Sequence, residues 1–597
     1  MQISRICVHN FRNFEDLNLE IGSKAVIVGD NKIGKSNLIY ALRLILDPSL
    51  PDSVRQLRRE DFWDGLPRPL SVNDKILISI DFTDFEDNTN QLALLAAHLI
   101  ESSPMVARLT YVFQPKEGLE STPTRESDYE FFIFGGNRPE NRIRHEIRAR
   151  MPLDFLPALR DVESDFMSWR RSPLRLLLDE CTSKITQGNL DGIAAKVSEA
   201  TNTLKEEPEI QALDAQIGVK LKDMVGSYQA IETSLGFTPT DPENLIRALR
   251  LFIDSGKRGI SDASLGSANI LYIVLKLLEL ELLNAQNSRD HTFLAIEEPE
   301  AHLHPHLQRL IYKGILNPRA HQVQSTHQEN SRELSSKTIL LTTHSPHIVS
   351  VSPLKSLIIL RKSINGNATE GISTANLDIV EDEIADLERY IDVTRGEIVF
   401  AKGVLLVEGD AEIFLIPALS KLLNKDLDEL GISVCSVSGT NFKPYVKFLG
   451  PNGLNKPFAL LTDFDPQSDG SNLGENRIIE LLSSLGCPEM PREDLKELAK
   501  QKGFFLNDYT LEIDLFSCGQ HDAICQTIIE LSDNDRAIDR ATSWKASPES
   551  LDKGRLLKDI TYIGKGRFAQ RLAMRISVTS CPRYIEEAIN YVCARCR

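Results

Sequence analysis

The stretch Gly29-Asp30-Asn31-Lys32-Ile33-Gly34-Lys35-Ser36 constrains this chain more than any other, because it fits G-x-x-x-x-G-K-[ST] in the setting that motif requires. The apolar run from Lys24 to Val28 predicts a strand before it. After it, Leu38, Ile39, Leu42, Ile45 and Leu46 recur at helical spacing, so a glycine-bearing loop joins a strand to a helix. Backbone N–H groups of such a loop and the helix N-terminus attract phosphate; Lys35 would neutralise the β- and γ-phosphates, and Ser36 would bind Mg2+. Gly29, Asn31, Gly34, Lys35 and Ser36 are thus candidate ATP-binding residues. The alternative is a chance match in a glycine-containing loop.

Partners in the expected order argue against chance. Phe293-Leu294-Ala295-Ile296 reads as a buried strand ending in Glu297-Glu298-Pro299-Glu300, a Walker B arrangement. Glu297 would hold Mg2+ through its water shell and Glu298 would act as the base on the attacking water, the two tasks phosphoryl transfer requires. Leu340-Leu341-Thr342-Thr343-His344-Ser345-Pro346 predicts another strand ending in a polar switch, where His344 would sense the γ-phosphate. Upstream, Ser264-Leu265-Gly266-Ser267-Ala268-Asn269 opens an apolar helix and resembles the signature element of ABC-type ATPases, by which Ser267 would reach the nucleotide of a partner chain. Ala268 and Asn269 depart from it where glycine and glutamine are preferred. His302, His304 and His306 alternate at a helix start and so do not share one helical face as a zinc pair would; structural or dimer-facing roles are expected for them.

A second site lies downstream. Val404 to Val407 is a buried strand ending in Glu408-Gly409-Asp410-Ala411-Glu412 and leading into a helix from Ile413 to Leu423; Phe458 to Leu461 is another, with Asp463-Phe464-Asp465 at its tip. In a parallel α/β sheet both tips fall on the carboxyl edge, where Glu408, Asp463 and Asp465 can meet. Carboxylates that crowd together repel, so such clusters hold divalent cations, and all-oxygen ligands suit Mg2+ or Mn2+. Two ions roughly 4 Å apart would activate a water and stabilise the leaving oxygen of a phosphodiester. The alternative is that these acids merely cap helices and turns. Glu512 is a possible further ligand or an ordinary surface carboxylate. Lys565, between Gly564 and Gly566, is read as freed from regular helix and able to steady developing phosphorane charge.

At 597 residues the chain is too long for one ordinary core, which predicts two to four domains. No apolar run approaches the roughly 20 residues of a membrane span, and the N-terminus lacks a secretory pattern, so a cytoplasmic protein is expected. Nine scattered cysteines read as reduced thiols, and the single pair Cys593 and Cys596 falls short of a four-ligand zinc site. With 68 basic against 85 acidic residues, a net charge of −17, DNA could bind only at local basic patches. Arg138, Arg142, Arg144, Arg148 and Arg150 supply one candidate; Lys553, Arg555, Lys558, Lys565, Arg567, Arg571 and Arg575 supply another. Taken alone, each reads as a solvated helix face.

Further strands are expected near Lys75 to Phe82 and Met105 to Phe113, a helical insertion from about Pro152 to Leu245, and strands again at Thr292 to Ile296 and Thr338 to Leu341. The polar stretch Ser363 to Ser373 and the acidic helix Val380 to Tyr390 read as a linker before a second α/β unit that begins near Val404.

In order, these motifs closely resemble the OLD (overcoming lysogenization defect) family of nucleases over nearly the whole chain. The family includes the nuclease subunit of the Gabija antiphage system, to which this chain is similar in size and layout. The resemblance implies an α/β chain in which an ABC-like P-loop ATPase of the RecF/SMC head type, with a helical insertion, precedes a C-terminal Toprim domain. The expected boundaries are 1–151 and 246–385 for the ATPase, 152–245 for the insertion, which would serve dimerisation, and 386–597 for the Toprim domain. It also implies that Glu408, Asp410, Glu412, Asp463, Asp465 and Glu512 are metal ligands and that Lys565 is the catalytic lysine. Expected partners are DNA, a second or further copy of the chain as dimer or tetramer, and a UvrD-like helicase. Expected cofactors are ATP and Mg2+ or Mn2+, with ATP as fuel or as switch.

Rival readings reuse the same motifs. A RecF-like DNA-binding clamp with an inert second domain leaves the paired acidic tips unexplained. A topoisomerase or primase would need a strand-passage tyrosine or a zinc framework, and an SMC-like scaffold would need sustained heptads.

Overall fold

The computed structural model describes the chain from Met1 to Cys596 except residues 120–121, 144, 159–161, 170–171, 226–234, 236–241, 317–336, 364–365, 392–394, 467–471, 488–491 and 577–579. Two compact units result. One comprises Met1–Leu156, Phe293–Glu300 and His304–Arg597; the other comprises Pro157–Thr292 and Ala301–Leu303.

The first unit holds three sheets. Gln2–Phe11, Phe14–Glu20, Ile76–Thr83, Leu99–Ser102, Met105–Pro115 and Tyr129–Gly135 form an antiparallel sheet. Alternation sets its inner face: in Phe14–Glu20, Phe14, Leu17 and Leu19 are buried while Glu15, Asn18 and Glu20 face water. The second sheet runs in the order Thr369–Ser373, Leu357–Lys362, Lys24–Gly29, Lys337–Thr343, Thr292–Glu297, Leu153–Leu156. Its central strand Lys24–Gly29 pairs in parallel with both neighbours, as the near-continuous apolar run Ala25 to Val28 requires of a strand covered on both faces.

The helix Lys35–Leu46 explains its own sequence. Leu38, Ile39, Ala41, Leu42, Leu44, Ile45 and Leu46 are all buried, wider than one amphipathic stripe, because the helix touches strands of both sheets. Each such Leu or Ile stabilises the core by about 1.5–3 kcal/mol.

Two expectations are corrected. Leu153–Leu156, inside the stretch expected to be helical, is an edge strand that pairs in parallel with Phe293–Ile296. Four residues are too few for periodicity to register. The polar stretch expected as linker contains the strand Thr369–Ser373, antiparallel to Leu357–Lys362. Its composition hides it, because Gly371 lies so close to Leu17 and Leu19 that a Cβ there would come within 2.7 Å of either side chain. The acidic helix is present at Glu381–Tyr390.

The third sheet is parallel throughout, in the order Ile432–Ser436, Gly403–Val407, Phe458–Thr462, Phe504–Leu506. Gly403–Val407 and Phe458–Thr462 are completely buried. Against this sheet and its flanking helices, Leu415, Leu419, Ile524, Ile528, Leu556 and Ile589 build one core.

The second unit is largely helical, with Leu174–Ser183, Gln187–Lys205, Pro208–Val225, Pro242–Arg247 and Leu265–Ala285 as its principal helices. It contains the described part of the stretch 157–245 and continues to Thr292, so the helix opened by Ser264 belongs to it. Its own core is small, centred on Phe166, Ile260, Ala268 and Leu275. Among the described residues no helix is long and apolar enough to cross a membrane.

Candidate nucleotide and metal sites

Sheet order places the P-loop strand beside the strand that ends in Thr343, with the strand ending in Glu297 next to that. Val28 pairs with Thr343 in register, so Gly29, His344 and Glu297 emerge at one edge. Two glycines are required by what surrounds them. A Cβ at Gly29 would lie 2.6 Å from Leu360 O, and Gly34, with φ +108°, carries the chain into the helix where a Cβ would overlap Asn13. Asn13 and Thr369 steady the loop from outside: Asn13 Nδ2 and Thr369 Oγ1 donate to Ile33 O at 2.7 and 2.9 Å.

Lys35 is folded back onto its own loop. Its Nζ donates to Gly29 O and Asp30 O at 2.8 and 3.1 Å and lies 2.5 Å from His344 Nε2. Burial lowers the pKa of both groups, and each is further affected by its charged neighbours, with Lys35 lowering that of His344. A neutral imidazole accepting from the ammonium fits this contact. Glu298 Oε1 stands 3.3 Å from the same ring nitrogen. Its backbone is left-handed, at φ +41°, and its N–H donates to Thr342 O at 3.0 Å, tying the Walker B turn to the switch strand. Glu297 is buried, and among the described residues its Oε1 has no hydrogen-bond partner. Ser36 and Asn31 are exposed. A buried carboxylate oxygen unpartnered among the described residues and an exposed serine at a helix start, delivered to the same sheet edge, are donor types suited to a hydrated Mg2+ on a nucleotide.

Glu300 was not singled out in the sequence. Thr343 Oγ1 and the His344 N–H donate to its Oε1 at 2.6 and 2.8 Å, while burial raises its pKa. It fixes the backbone of the switch. Its place in Glu-Glu-Pro-Glu was the available signal.

The acidic tips of the third sheet also meet. Glu408 Oε1 accepts from Thr462 Oγ1 at 2.5 Å and from the Asp463 N–H at 2.9 Å, so the two strand tips are bonded directly. Asp463 accepts from Asn507 Nδ2. Burial, reinforced by Glu408, Glu412, Glu512 and Asp465, pushes the Asp463 pKa up to about 8. Burial, with Glu512 and Glu408 adding to it, pushes Glu412 up to about 7. Glu512 is buried in the short helix Leu511–Leu515; Lys565 Nζ lies 3.2 Å from its Oε1, and among the described residues its Oε2 has no hydrogen-bond partner. Burial opposes the charge on Lys565, but Glu512, Asp463 and Glu412 together raise its pKa. Asp410 is exposed at the first position of the helix Asp410–Leu422.

Mutual elevation of carboxyl pKa values and an orphaned buried oxygen fit a group of ligands for divalent cations. Among the described residues, however, no three acidic, histidine or cysteine side chains stand together as a ready ligand set. Basic and amide groups hold them apart: Arg477 bridges Glu408 and Asp465, Lys565 faces Glu512, and Asn507 holds Asp463. Lys565 itself is not freed from helix as expected. It is the first residue of the helix Lys565–Ala573, turned out by Gly564 at φ +96° where the preceding helix ends.

Asn507 and Arg477 were missed in the sequence. Asn507 directly follows the strand Phe504–Leu506, a third tip on the same edge that the run Phe-Phe-Leu-Asn announces. Arg477 lies within a mixed helix, Leu473–Ser484, where nothing distinguishes it from a solvated residue.

The remaining candidates are placed as follows. Ser267 is exposed in the second unit, where its N–H donates to the cap Ser264 Oγ at 3.2 Å. His304 Nδ1 accepts from the His306 N–H at 3.3 Å at the start of the helix Pro305–Leu316. In the first basic segment Arg142 stacks on Phe132, Arg148 is partly buried, and Arg144 lies outside the described residues. In the second, Arg571 and Arg575 pair with Glu530, while Arg555, Lys558 and Arg567 are exposed.

Comparison with known proteins agrees with this layout. Residues 24–350, more than half of the chain, match the AAA domain family described as putative AbiEii toxin, Type IV TA system. Residues 399–465 match the Overcoming lysogenization defect protein-like TOPRIM domain. The chain is 23% identical over 551 residues to Endonuclease GajA of Bacillus cereus, covering 86% of this chain and 85% of that one. It is 25% identical over 455 residues to the OLD nuclease of Thermus scotoductus, covering 73% and 77%. A solved C-terminal region of the Burkholderia pseudomallei OLD protein is 45% identical, covers 33% of this chain and 100% of that one, and superposes with a TM-score of 0.31. An ATPase followed by a Toprim domain implies use of a nucleotide and of a divalent metal. By these matches and its own architecture, an ABC-like ATPase ahead of a Toprim sheet, the chain belongs to the OLD family.

Proposed function

We propose that this chain is an ATP-binding and ATP-hydrolysing, metal-dependent DNA endonuclease that cleaves or nicks phosphodiester bonds at the Toprim sheet under control of the nucleotide site. The observation that carries this reading is the acidic cluster. Glu408, Glu412, Asp463, Asp465 and Glu512 gather around one sheet edge, where burial first and the neighbouring acids second lift Asp463 to about 8. Crowding of that kind costs stability unless cations relieve it. Relatives named Endonuclease GajA and OLD nuclease support the reaction class.

In this reading Glu408, Asp410, Glu412, Asp463, Asp465 and Glu512 hold Mg2+ or Mn2+. Bound ions would polarise the phosphate and lower the pKa of an attacking water. Thr462 and Asn507 orient Glu408 and Asp463. Lys565, at a helix start beside the cluster, steadies charge developing on the phosphate. The exposed Arg555, Lys558 and Arg567 lie close in sequence to Lys565 and offer backbone contacts to DNA, as an acidic chain needs.

At the other edge, Gly29, Asn31, Gly34, Lys35 and Ser36 hold ATP, Glu297 its Mg2+, Glu298 acts as base and His344 reports the γ-phosphate. Ser267 completes the site of a partner copy. Leu213, Val219 and Met224 are exposed on the helix Pro208–Val225, which suits a dimer or tetramer formed through the second unit. The domain boundaries 1–151, 152–245, 246–385 and 386–597 belong to the same reading, as do a cytoplasmic setting, antiphage defence and a UvrD-like helicase partner.

The test is cleavage of supercoiled plasmid by the purified full chain with Mg2+ or Mn2+, with and without ATP, for wild type and Lys35→Ala. Cutting should vanish in EDTA, and its response to ATP should be lost in Lys35→Ala. Cutting that persists in EDTA, or an unchanged ATP response in Lys35→Ala, would refute the metal or the coupling half of the reading, respectively.

A further inference from the structure

We propose that the Arg477 guanidinium is a resident cation, seated between Glu408 and Asp465 where a divalent ion would bridge them, and that metal loading requires it to withdraw. This rests on the metal-dependent reading above. The guanidinium spans both strand tips: Nη1 lies 2.6 Å from Glu408 Oε1 and Nη2 3.0 Å from Asp465 Oδ2. It also donates to Thr462 Oγ1, and its side chain is only 12% exposed. Glu408 Oε1 already accepts from Thr462 Oγ1 and the Asp463 N–H, so with Arg477 that oxygen has three donors and is saturated.

Three features make this more than a surface ion pair. A fork-shaped, always-charged group chelates two carboxylates from neighbouring strands, as a bridging metal would. It engages an oxygen of each of those two carboxylates. It cannot leave by moving the backbone, because its helix starts against the tip: a Cβ at Gly474 would lie 2.4 Å from Asp463 O. Withdrawal is therefore a rotation of the Arg477 side chain. Lys565 differs, because its side chain is 54% exposed at the edge of the cluster and its amine pairs with Glu512.

Two cations in one place repel, so wild type is competent for metal only in the fraction of molecules in which Arg477 has turned away. With a competent fraction of about one tenth, removing the guanidinium should tighten apparent metal binding about tenfold. Mn2+ binding to the full chain, read from loss of the free-ion electron paramagnetic resonance signal, compares wild type with Arg477→Met, Arg477→Gln and Asp463→Asn. Both Arg477 variants should bind more tightly, and their melting temperatures should be lower than wild type in EDTA yet rise further with Mn2+. Arg477→Gln keeps an amide donor toward Glu408 and preserves the test if the methionine variant misfolds. If Asp463→Asn loses Mn2+ while both Arg477 variants bind no tighter than wild type, this inference fails and the metal reading stands. If Asp463→Asn binds Mn2+ like wild type, the metal reading fails and takes this inference with it.

Discussion

Burial and neighbouring acids push the pKa values of Asp463 and Glu412 up to about 8 and about 7. Unfolded, they would titrate near 3.9 and 4.3, roughly the values of free side chains. Between these limits the folded state binds more protons than the unfolded state, so the metal-free protein loses stability as pH rises through neutrality. Divalent cations should reverse this by replacing the protons. Melting curves in EDTA between about pH 6 and pH 9 should therefore show a falling midpoint, with a smaller fall in Asp463→Asn and with recovery in Mg2+. A slope that Asp463→Asn leaves unchanged would mean that the cluster is not electrostatically strained. Glu408 and Asp463 were legible because each closes an apolar run, whereas Glu412 was read as a ligand only through the family resemblance. Arg477 acts through the geometry of folded neighbours, which no spacing rule encodes.

Strands linked through one turn connect the two sites. Arg361, in the strand Leu357–Lys362 that pairs with the P-loop strand at Gly29, donates to Leu454 O and Asn455 O at 3.2 and 2.7 Å. Lys456 Nζ donates to Ile398 O and Val399 O at 3.0 and 2.7 Å, and to Ala401 O. Two residues later begins the strand Phe458–Thr462, which Asp463 directly follows. Burial, helped by Arg361, pushes the Lys456 pKa down to about 7, and three carbonyls hold its N–H groups. Lys456→Met would strand those carbonyls and should cost about 3 kcal/mol in urea unfolding. Arg361→Ala should instead leave metal-dependent cutting intact and blunt its response to ATP. An undiminished ATP response in Arg361→Ala would remove this turn from the route between the sites. The sequence announced the P-loop strand, its helix, the Walker B strand and both acidic strands, because each buries a long apolar run. It did not announce Leu153–Leu156 or Thr369–Ser373, since edge strands of four and five residues with polar or glycine positions carry little periodicity.

Across the whole chain, order in sequence and order in space diverge in a way that serves the chemistry. Ser36 and Glu297 are far apart in sequence, yet sheet order delivers the P-loop, Walker B and switch strands to one edge. Of the intervening chain, Pro157–Thr292 belongs to a second unit with its own small core. The acidic cluster needs a shorter span, from Glu408 to Lys565, folded around one parallel sheet. In the proposed reading, a net charge of −17 leaves DNA contact to local basic positions, so the acidic cluster, and not bulk charge, would define where cutting occurs. The most direct measurement is cleavage of supercoiled plasmid in Mn2+ by wild type and Asp463→Asn, with nucleotide binding checked in both. Loss of cutting in Asp463→Asn with ATP binding unchanged is the predicted result, whereas cutting at the wild-type rate would contradict the assignment of the phosphodiester chemistry to this cluster.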